Sequence, residues 1–194
     1  MDQRSLLESN RKWREEIIGK DPGYFQRLAK GQQPPFLYIG CADSRVSPAR
    51  MLGTQPGDAF VVRNVANLVR PDDLAIQTVL AYGLGVLRIP HVIVCGHTGC
   101  GGVQAALDGV KDEPLVSWLD GVAKLARSHG DELNGIADPA ERAERLVELN
   151  VREQVRRLNE SEAMARARTE WGGPQVHAWV FELHSGAIRE LSPD

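Results

Sequence analysis

Two short segments of the chain carry side chains that can bind a soft metal ion. One runs from Cys41 to Arg45 with the sequence CADSR, and the other runs from His97 to Gly102 with the sequence HTGCGG. Each follows an apolar run of the kind that forms a buried strand. If the two strands are neighbours, two thiols and one imidazole meet, and these are ligands that zinc prefers. We therefore predict a zinc ion bound by Cys41, His97 and Cys100, with a fourth position left for chemistry.

The positions of these ligands within the predicted elements support the same interpretation. Ligand sites of parallel α/β sheets lie beyond the carboxyl ends of strands, where Cys41 and His97 both fall. His97 and Cys100 are three residues apart in a glycine-rich turn that leads into a helix, whose N-terminus favours the thiolate form of Cys100. A cysteine after a strand is by itself usually a packing residue. The combination of both segments in one chain is what predicts a metal site.

The fourth zinc position is open to three kinds of ligand, namely Asp43, a water molecule or the substrate. Asp43 lies two residues after Cys41, so in an extended chain both side chains can point to the same side. Arg45, two residues further on, can pair with the Asp43 carboxylate. The pair is either a structural salt bridge or a movable carboxylate, which binds zinc in one state and is held by Arg45 in the other.

The composition limits the classes of function. The 194 residues suffice for one domain with a proper core, and 42% hydrophobic and 25% charged residues are ordinary for a globular protein. A net charge of −3, with dispersed basic residues, favours neither nucleic acid nor an anionic membrane as a partner. We predict no signal peptide and no membrane span. Together with the three cysteines, this predicts reduced thiols and a cytoplasmic location.

The hydrophobic pattern alternates between strand and helix signals, which predicts βαβ units and a mainly parallel sheet. Residues 1–30 have the pattern of a helical arm that is broken at Asp21-Pro22-Gly23. The predicted strands cover residues 36–40, 58–62, 91–95 and 176–183, and a hairpin turn leads into 187–191. The predicted helices cover residues 74–87, 139–158 and 161–172, and another includes residues 103–107. No repeat or linker divides the chain, so we expect one domain over residues 1–194.

Three ordered blocks give the chain a specific resemblance to a known family. They are CADSRV at 41–46, PGDAFVVRNVAN at 56–67 and GHTGCGG at 96–102. With them the chain resembles a β-class carbonic anhydrase along essentially its full length. The resemblance implies an α/β fold in which a mainly parallel β-sheet with an antiparallel edge strand is flanked by helices. It also implies a homodimer or a dimer of dimers, with the N-terminal helical arm at the dimer interface.

The resemblance further assigns roles to individual residues. It implies that Cys41, His97 and Cys100 ligate zinc and that Asp43 and Arg45 form the catalytic dyad. It also implies a substrate pocket with an apolar lining. The residues placed at that pocket are Phe60, Val65, Tyr82, Gly101 and Gly102, together with Gln32, which would reach the active site of a partner subunit.

The function implied is the reversible hydration of CO2 to bicarbonate and a proton. Zinc-bound hydroxide would attack CO2 held in the apolar pocket, while Asp43, paired with Arg45, accepts the hydrogen of the hydroxide. A non-catalytic zinc or bicarbonate-binding module would not need this dyad. A thiol redox protein would need a C-x-x-C motif, and a dinucleotide-binding turn would need glycine where Gln104 stands. Hydrolysis of a CO2-like heteroallene, such as carbon disulfide, on the same scaffold stays open.

A last expectation concerns regulation by bicarbonate. One subgroup of the family is inhibited when bicarbonate occupies a non-catalytic pocket, built from an Arg, a Trp and a Tyr, and the counterpart of Asp43 moves onto zinc. Arg63 matches the Arg, whereas Tyr38 stands at the Trp position and Phe181 at the Tyr position. The loss of one hydrogen bond to a charged group, such as bicarbonate, costs about 1.5–3 kcal/mol of binding free energy. We therefore predict that bicarbonate inhibition of this kind is weak or absent.

Overall fold

The computed structural model of the chain describes residues 2–192. They fall into two compact units, one up to Gln33 and the other from Pro34 onward. The first unit is helical, and the second contains the sheet and both predicted ligand segments. That the whole chain forms one domain stays a prediction. Among the described residues, no helix has both the length and the apolar character needed to cross a lipid bilayer.

The N-terminal unit contains two helices, α1 (Gln3–Lys20) and α2 (Tyr24–Leu28). The side chain of Asp2 caps α1 by accepting a hydrogen bond from a backbone N–H of the first turn. The rings of Trp13 and Phe25 pack edge to face, with centroids 5.5 Å apart, and so join the two helices. No residue of either helix is fully buried. The predicted helices and the break between them are both present.

Five strands form one sheet in the second unit. They are β1 (Phe36–Cys41), β2 (Ala59–Asn64), β3 (His91–His97), β4 (Gln175–Phe181) and β5 (Ile188–Glu190). In the order β2-β1-β3-β4-β5, the first four run parallel, and β5 pairs antiparallel with β4. The predicted fold class, a mainly parallel sheet with an antiparallel edge strand, is therefore confirmed. Strand β3 continues two residues beyond its predicted end, which makes His97 its last residue.

Helices connect and flank the strands. They are α3 (Pro48–Leu52), α4 (Leu74–Leu80), α5 (Gly101–Asp108), α6 (Leu115–Ser128), α7 (Gly130–Asn134), α8 (Pro139–Glu160) and α9 (Glu162–Trp171). The helix predicted over 74–87 is an α-helix only to Leu80 and continues as a π-helical segment over Ala81–Val86. The sequence assigned no element to the stretch that forms α6 and α7. Pro114 in front of α6 and Gly121 within it interrupt the helical pattern there.

Alternate residues of β1 and β3 divide between two apolar clusters, as the pleat of a sheet requires. Leu37 belongs to the larger cluster, to which α8 contributes. Tyr38 and Cys95 belong to a smaller cluster on the opposite face. Helix α8 lies so close to β3 that a Cβ atom at Gly96 would be 2.6 Å from a methyl group of Val151. This close contact fixes the end of β3 directly before the predicted histidine ligand.

Candidate metal centre

The three predicted ligands come together at the carboxyl ends of two neighbouring strands. Cys41 is the last residue of β1, His97 is the last residue of β3, and Cys100 is the N-cap residue of α5. Their ligand atoms all lie within 4.8 Å of one another, and all three side chains are buried. A φ of 62° at Gly99 lets the chain turn sharply between His97 and Cys100. Within residues 2–192, no other group of three or more His, Cys, Asp or Glu side chains is gathered in this way.

The geometry of this cluster fits a metal ion. Two sulfur ligands about 2.3 Å from a tetrahedral zinc ion lie about 3.8 Å apart, and the Sγ atoms of Cys41 and Cys100 are separated by 3.9 Å. The Nδ1 atom of His97 lies 2.9 Å from the carbonyl oxygen of Thr98 and donates to it, because a carbonyl only accepts. In the neutral ring, Nε2 then carries a lone pair, and this atom is buried without a hydrogen-bond partner. A metal ion would satisfy that nitrogen.

The two thiols of the cluster are strongly coupled to each other. Contact with the Cys100 sulfur is the largest cause that lowers the pKa of Cys41, against the effect of burial. The same contact is the largest cause that raises the pKa of Cys100, and burial is the second. Two thiolates 3.9 Å apart repel each other, and a cation between the two sulfurs would offset that repulsion.

A carboxylate held by an arginine lies beside the cluster. Both oxygens of Asp43 accept hydrogen bonds from Arg45, from Nε at 2.9 Å and from Nη2 at 2.6 Å. These bonds are the main reason why the pKa of Asp43 is far below its usual range. Arg45 is itself anchored, because Nη2 also donates to the carbonyl oxygen of Gly99 at 3.0 Å. The Oδ2 atom of Asp43 is 3.8 Å from Nε2 of His97, so the carboxylate faces the place where a metal would lie.

The residues predicted to form a bicarbonate pocket have other contacts. Arg63 donates from Nε to the carbonyl oxygen of Cys41 at 2.8 Å and from Nη2 to that of Asp43 at 2.7 Å. It therefore supports the backbone that carries a predicted ligand and the carboxylate. Tyr38 and Phe181 pack in the smaller apolar cluster, and the buried Tyr38 hydroxyl has no hydrogen-bond partner among the described residues. Any role of these residues in bicarbonate binding stays a prediction.

Part of the predicted pocket wall is visible beside Cys100. Val65 follows β2 directly and is 37% exposed. A Cβ atom at Gly102 would lie 2.7 Å from Cγ1 of Val65, so the glycine permits this close approach. Gly101, in contrast, is exposed, and a Cβ atom added there would have no neighbouring atom within 4 Å. The structure thus brings Val65 and Gly102 together and leaves Gly101 at the surface.

The other predicted pocket residues form a second contact or belong to the other unit. The rings of Phe60 and Tyr82 pack against each other with centroids 5.9 Å apart, and Tyr82 is 44% exposed. Gln32 is exposed and belongs to the N-terminal unit. Its predicted reach into a partner subunit, and the pocket role of all three residues, stay predictions.

Sequence reasoning missed two buried amides next to the predicted pocket residue Val65. Asn150 and Gln154 lie on the buried face of α8, which also carries Val147 and Val151. They hydrogen-bond to the chain just after Val65. Polar residues are rarely buried without a partner, so amides on an apolar helical stripe are a signal that could have identified them.

Comparison with known proteins relates the chain to one family. The sequence profile of a family described as Carbonic anhydrase matches residues 36–188. A carbonic anhydrase of Emericella nidulans is 44% identical over an alignment that covers 97% of this chain and 83% of the relative.

Solved structures give the same result. The tetrameric β-carbonic anhydrases of Sordaria macrospora include a chain with a TM-score of 0.94 at 38% identity, covering 98% of this chain and 96% of that one. A Coccomyxa β-carbonic anhydrase in complex with acetazolamide has a TM-score of 0.92 at 39% identity, covering 98% of this chain and 86% of that one. The chain therefore belongs to the β-class carbonic anhydrases, a family of lyases, and is an enzyme of that family.

Proposed function

We propose that the enzyme catalyses the zinc-dependent, reversible hydration of CO2 to bicarbonate and a proton. The observation that carries the proposal is the buried cluster of two thiols and one imidazole beside a carboxylate. In it, Nε2 of His97 has no hydrogen-bond partner, and Oδ2 of Asp43 is 3.8 Å away. A structural salt bridge alone would not require a carboxylate directed at a group of metal ligands.

Zinc is the metal that suits these ligands. Cys41, Cys100 and His97 supply two sulfurs and one nitrogen, a donor set that tetrahedral zinc accepts, and three protein ligands leave one position for water or substrate. When bound, zinc acidifies water and so supplies hydroxide for the attack on CO2 near neutral pH. The ligand thiols must be reduced, and all three cysteines are free, which suits a reducing compartment such as the cytoplasm.

Asp43 and Arg45 orient the reactants. Oδ2 of Asp43 accepts the hydrogen bond of the attacking hydroxyl group, which directs the oxygen lone pair toward the carbon of CO2. Arg45 holds both carboxylate oxygens and keeps the group ionised, so that it accepts rather than donates. The bond from Arg45 to the Gly99 carbonyl ties this pair to the loop between His97 and Cys100. The dyad and the ligands therefore keep a fixed relation to each other.

The apolar wall supplies a place for CO2, which has no charge and accepts hydrogen bonds weakly. Val65 lies against Gly102 directly beside the loop that carries Cys100. A valine at this position excludes water from one side of the site without offering a competing polar group. Phe60 and Tyr82 extend the apolar lining.

The proposal includes self-association into a homodimer or a dimer of dimers. Helix α1 exposes Leu6, Leu7 and Trp13, and the β-carbonic anhydrases of Sordaria macrospora are tetrameric. Residues 1–30 form part of the interface, and Gln32 reaches the active site of the partner subunit. Sedimentation at assay concentration tests this: we expect a dimer or a larger species, and a fully active monomer would contradict it.

Measuring metal content and turnover on the same sample tests the function. We expect one zinc ion per chain, stopped-flow CO2 hydration that a chelator abolishes, and recovery when zinc is restored. Acetazolamide, which the Coccomyxa enzyme binds, is expected to inhibit. Full activity in a protein shown to be free of metal would refute the proposal.

A further inference from the structure

Two polar side chains lie among the apolar residues of α8. Asn150 is 1% exposed and Gln154 is 2% exposed. They are four residues apart on one helix face, and Nε2 of Gln154 donates to Oδ1 of Asn150 at 2.8 Å. Burying an amide is unfavourable unless it is hydrogen-bonded, so the remaining bonds of the pair indicate why it is there.

Both amides bond to the chain that follows β2. Nδ2 of Asn150 donates to the carbonyl oxygen of Ala66 at 2.9 Å, and Oε1 of Gln154 accepts the backbone N–H of Val69 at 2.8 Å. Both bonds are buried and join parts of the chain that are more than eighty residues apart. The pair therefore holds one short turn, residues 65–69, at two points.

That turn has a strained backbone. Ala66 has a φ of 65° and Asn67 has a φ of 50°, and neither residue is a glycine. Such conformations persist where the surrounding structure imposes them. A third anchor comes from α6, because Nε1 of Trp118 donates to the carbonyl oxygen of Val65 at 2.9 Å. Side chains of α8 and α6 thus help to hold the left-handed turn.

The turn touches both segments that carry the cysteine ligands. A Cβ atom built at Gly102 would lie 2.7 Å from Val65 and 3.2 Å from Ala66, so the turn packs against the start of α5 just after Cys100. On the other side, the carbonyl oxygen of Asn64, the residue directly before the turn, accepts a hydrogen bond from the backbone N–H of Ala42 at 2.9 Å, next to Cys41. A shift of the turn would therefore move Val65 and disturb the backbone next to Cys41 and Cys100.

We propose that Asn150 and Gln154 are positioning residues that hold the turn at 65–69 between the two segments that carry Cys41 and Cys100. Both amides act through the backbone of the turn. The inference rests on the proposed function, because the metal is what the two positioned cysteines would bind. Partners of metal ligands typically change metal affinity or activity about 10- to 100-fold when they are removed.

Two variants of similar shape test the inference. Asn150→Leu removes the bond to Ala66, and Gln154→Met removes the bond to Val69. In competition with a chelator, each variant should bind zinc about 10- to 100-fold more weakly than wild type does. The Co2+-substituted variants should show a shifted sulfur-to-cobalt charge-transfer band. Leu158→Ala is the matched control, because Leu158 is fully buried one turn further along α8; it should lower Tm without moving the band.

The outcomes separate this inference from the proposed function. A lower Tm with wild-type zinc affinity and an unchanged cobalt band in both variants would mean that the amides are only structural, which overturns the inference. If wild-type protein binds neither Zn2+ nor Co2+, the proposed function fails instead. If neither variant folds, amide exchange in the loaded wild-type protein decides. We expect the Val69 amide to exchange as slowly as those of β3, and exchange at the rate of an exposed loop would overturn the inference.

Discussion

Replacing Gly102 by alanine tests the close contact between α5 and the turn after β2. The new Cβ would lie 2.7 Å from Cγ1 of Val65 and 3.2 Å from Cβ of Ala66, both below ordinary contact distance. Val65 cannot easily withdraw, because its carbonyl is held by Trp118 and the next residue is in a strained left-handed conformation. The side chain of Val65 must therefore rotate or the start of α5 must shift.

The expected loss of stability follows from two opposing contributions. Overpacking a fitted site costs about 1–3 kcal/mol, whereas alanine in place of glycine within a helix stabilises by about 0.5–1 kcal/mol. We expect Gly102→Ala to be destabilised by about 1–2 kcal/mol, which lowers Tm by about 2–8 °C in a domain of this size. Because Val65 is proposed to form the pocket wall, we expect kcat/KM for CO2 to fall about tenfold, equivalent to about 1.4 kcal/mol of transition-state stabilisation.

Thermal unfolding and stopped-flow hydration measure both effects in a double-mutant cycle with Val65→Ala. Removing the methyl groups of Val65 should relieve the clash, so the two substitutions should couple by about 1–2 kcal/mol in stability. Gly101→Ala is the stability control, since nothing lies within 4 Å of its added carbon. A Gly102→Ala protein as stable and active as wild type, or an absence of coupling with Val65→Ala, would refute the reasoning.

Three further predictions address the dyad, regulation and pH. Asp43→Asn should keep its metal but lose most CO2 hydration, because an amide cannot accept hydrogen bonds in the same way from both the hydroxyl group and the arginine. Turnover near that of wild type would mean that the dyad is only structural. Near pH 8, bicarbonate should inhibit weakly, and a crystal with bicarbonate seated beside Arg63 and Asp43 on zinc would contradict this. Burial raises the pKa of Glu148, but hydrogen bonds from Arg145 and Arg189 outweigh burial and lower the pKa in the folded protein. The ionised Glu148 side chain therefore stabilises the fold above the ordinary glutamate pKa of about 4.3. This stabilisation is lost as the pH falls through the lower pKa of the folded protein. Glu148→Gln should therefore lower the free energy of unfolding near neutral pH and match wild type in strong acid, as denaturation at several pH values can check.

The sequence predicted those features that depend on local pattern. Apolar runs before Cys41 and His97 marked the strands, and the short glycine-rich turn before Cys100 placed a third donor near the other two. Parallel pairing then brings the strand ends together, since adjacent parallel strands share one carboxyl edge. The proximity of the three side chains could thus be predicted from the amino-acid sequence alone.

The features that escaped prediction depend on contacts between distant parts of the chain. A left-handed backbone at Ala66 has no signal in its own residue type, because alanine favours the right-handed region. Bonds from α8 and α6, together with the side chain of Asn64, which bonds the backbone of Leu68, hold the turn. The use of Arg63 to support the backbone of Cys41 is likewise a contact across two strands. Helix α6 was missed because Gly121 weakens its pattern, although Leu119 and Val122 of that helix are buried.

The comparison of two cysteine variants tests the central claim most directly. Cys41→Ser removes a sulfur from the proposed zinc site, while Cys95→Ser makes the same exchange at another buried cysteine that packs in the smaller apolar cluster. Zinc per chain is measured in both purified proteins and in wild type. We expect about one zinc ion in wild type and in Cys95→Ser, and a severe loss in Cys41→Ser, because a serine hydroxyl is a poor substitute for a soft thiolate. Full zinc occupancy in Cys41→Ser, or an equal loss in both variants, would contradict the assignment of the metal centre.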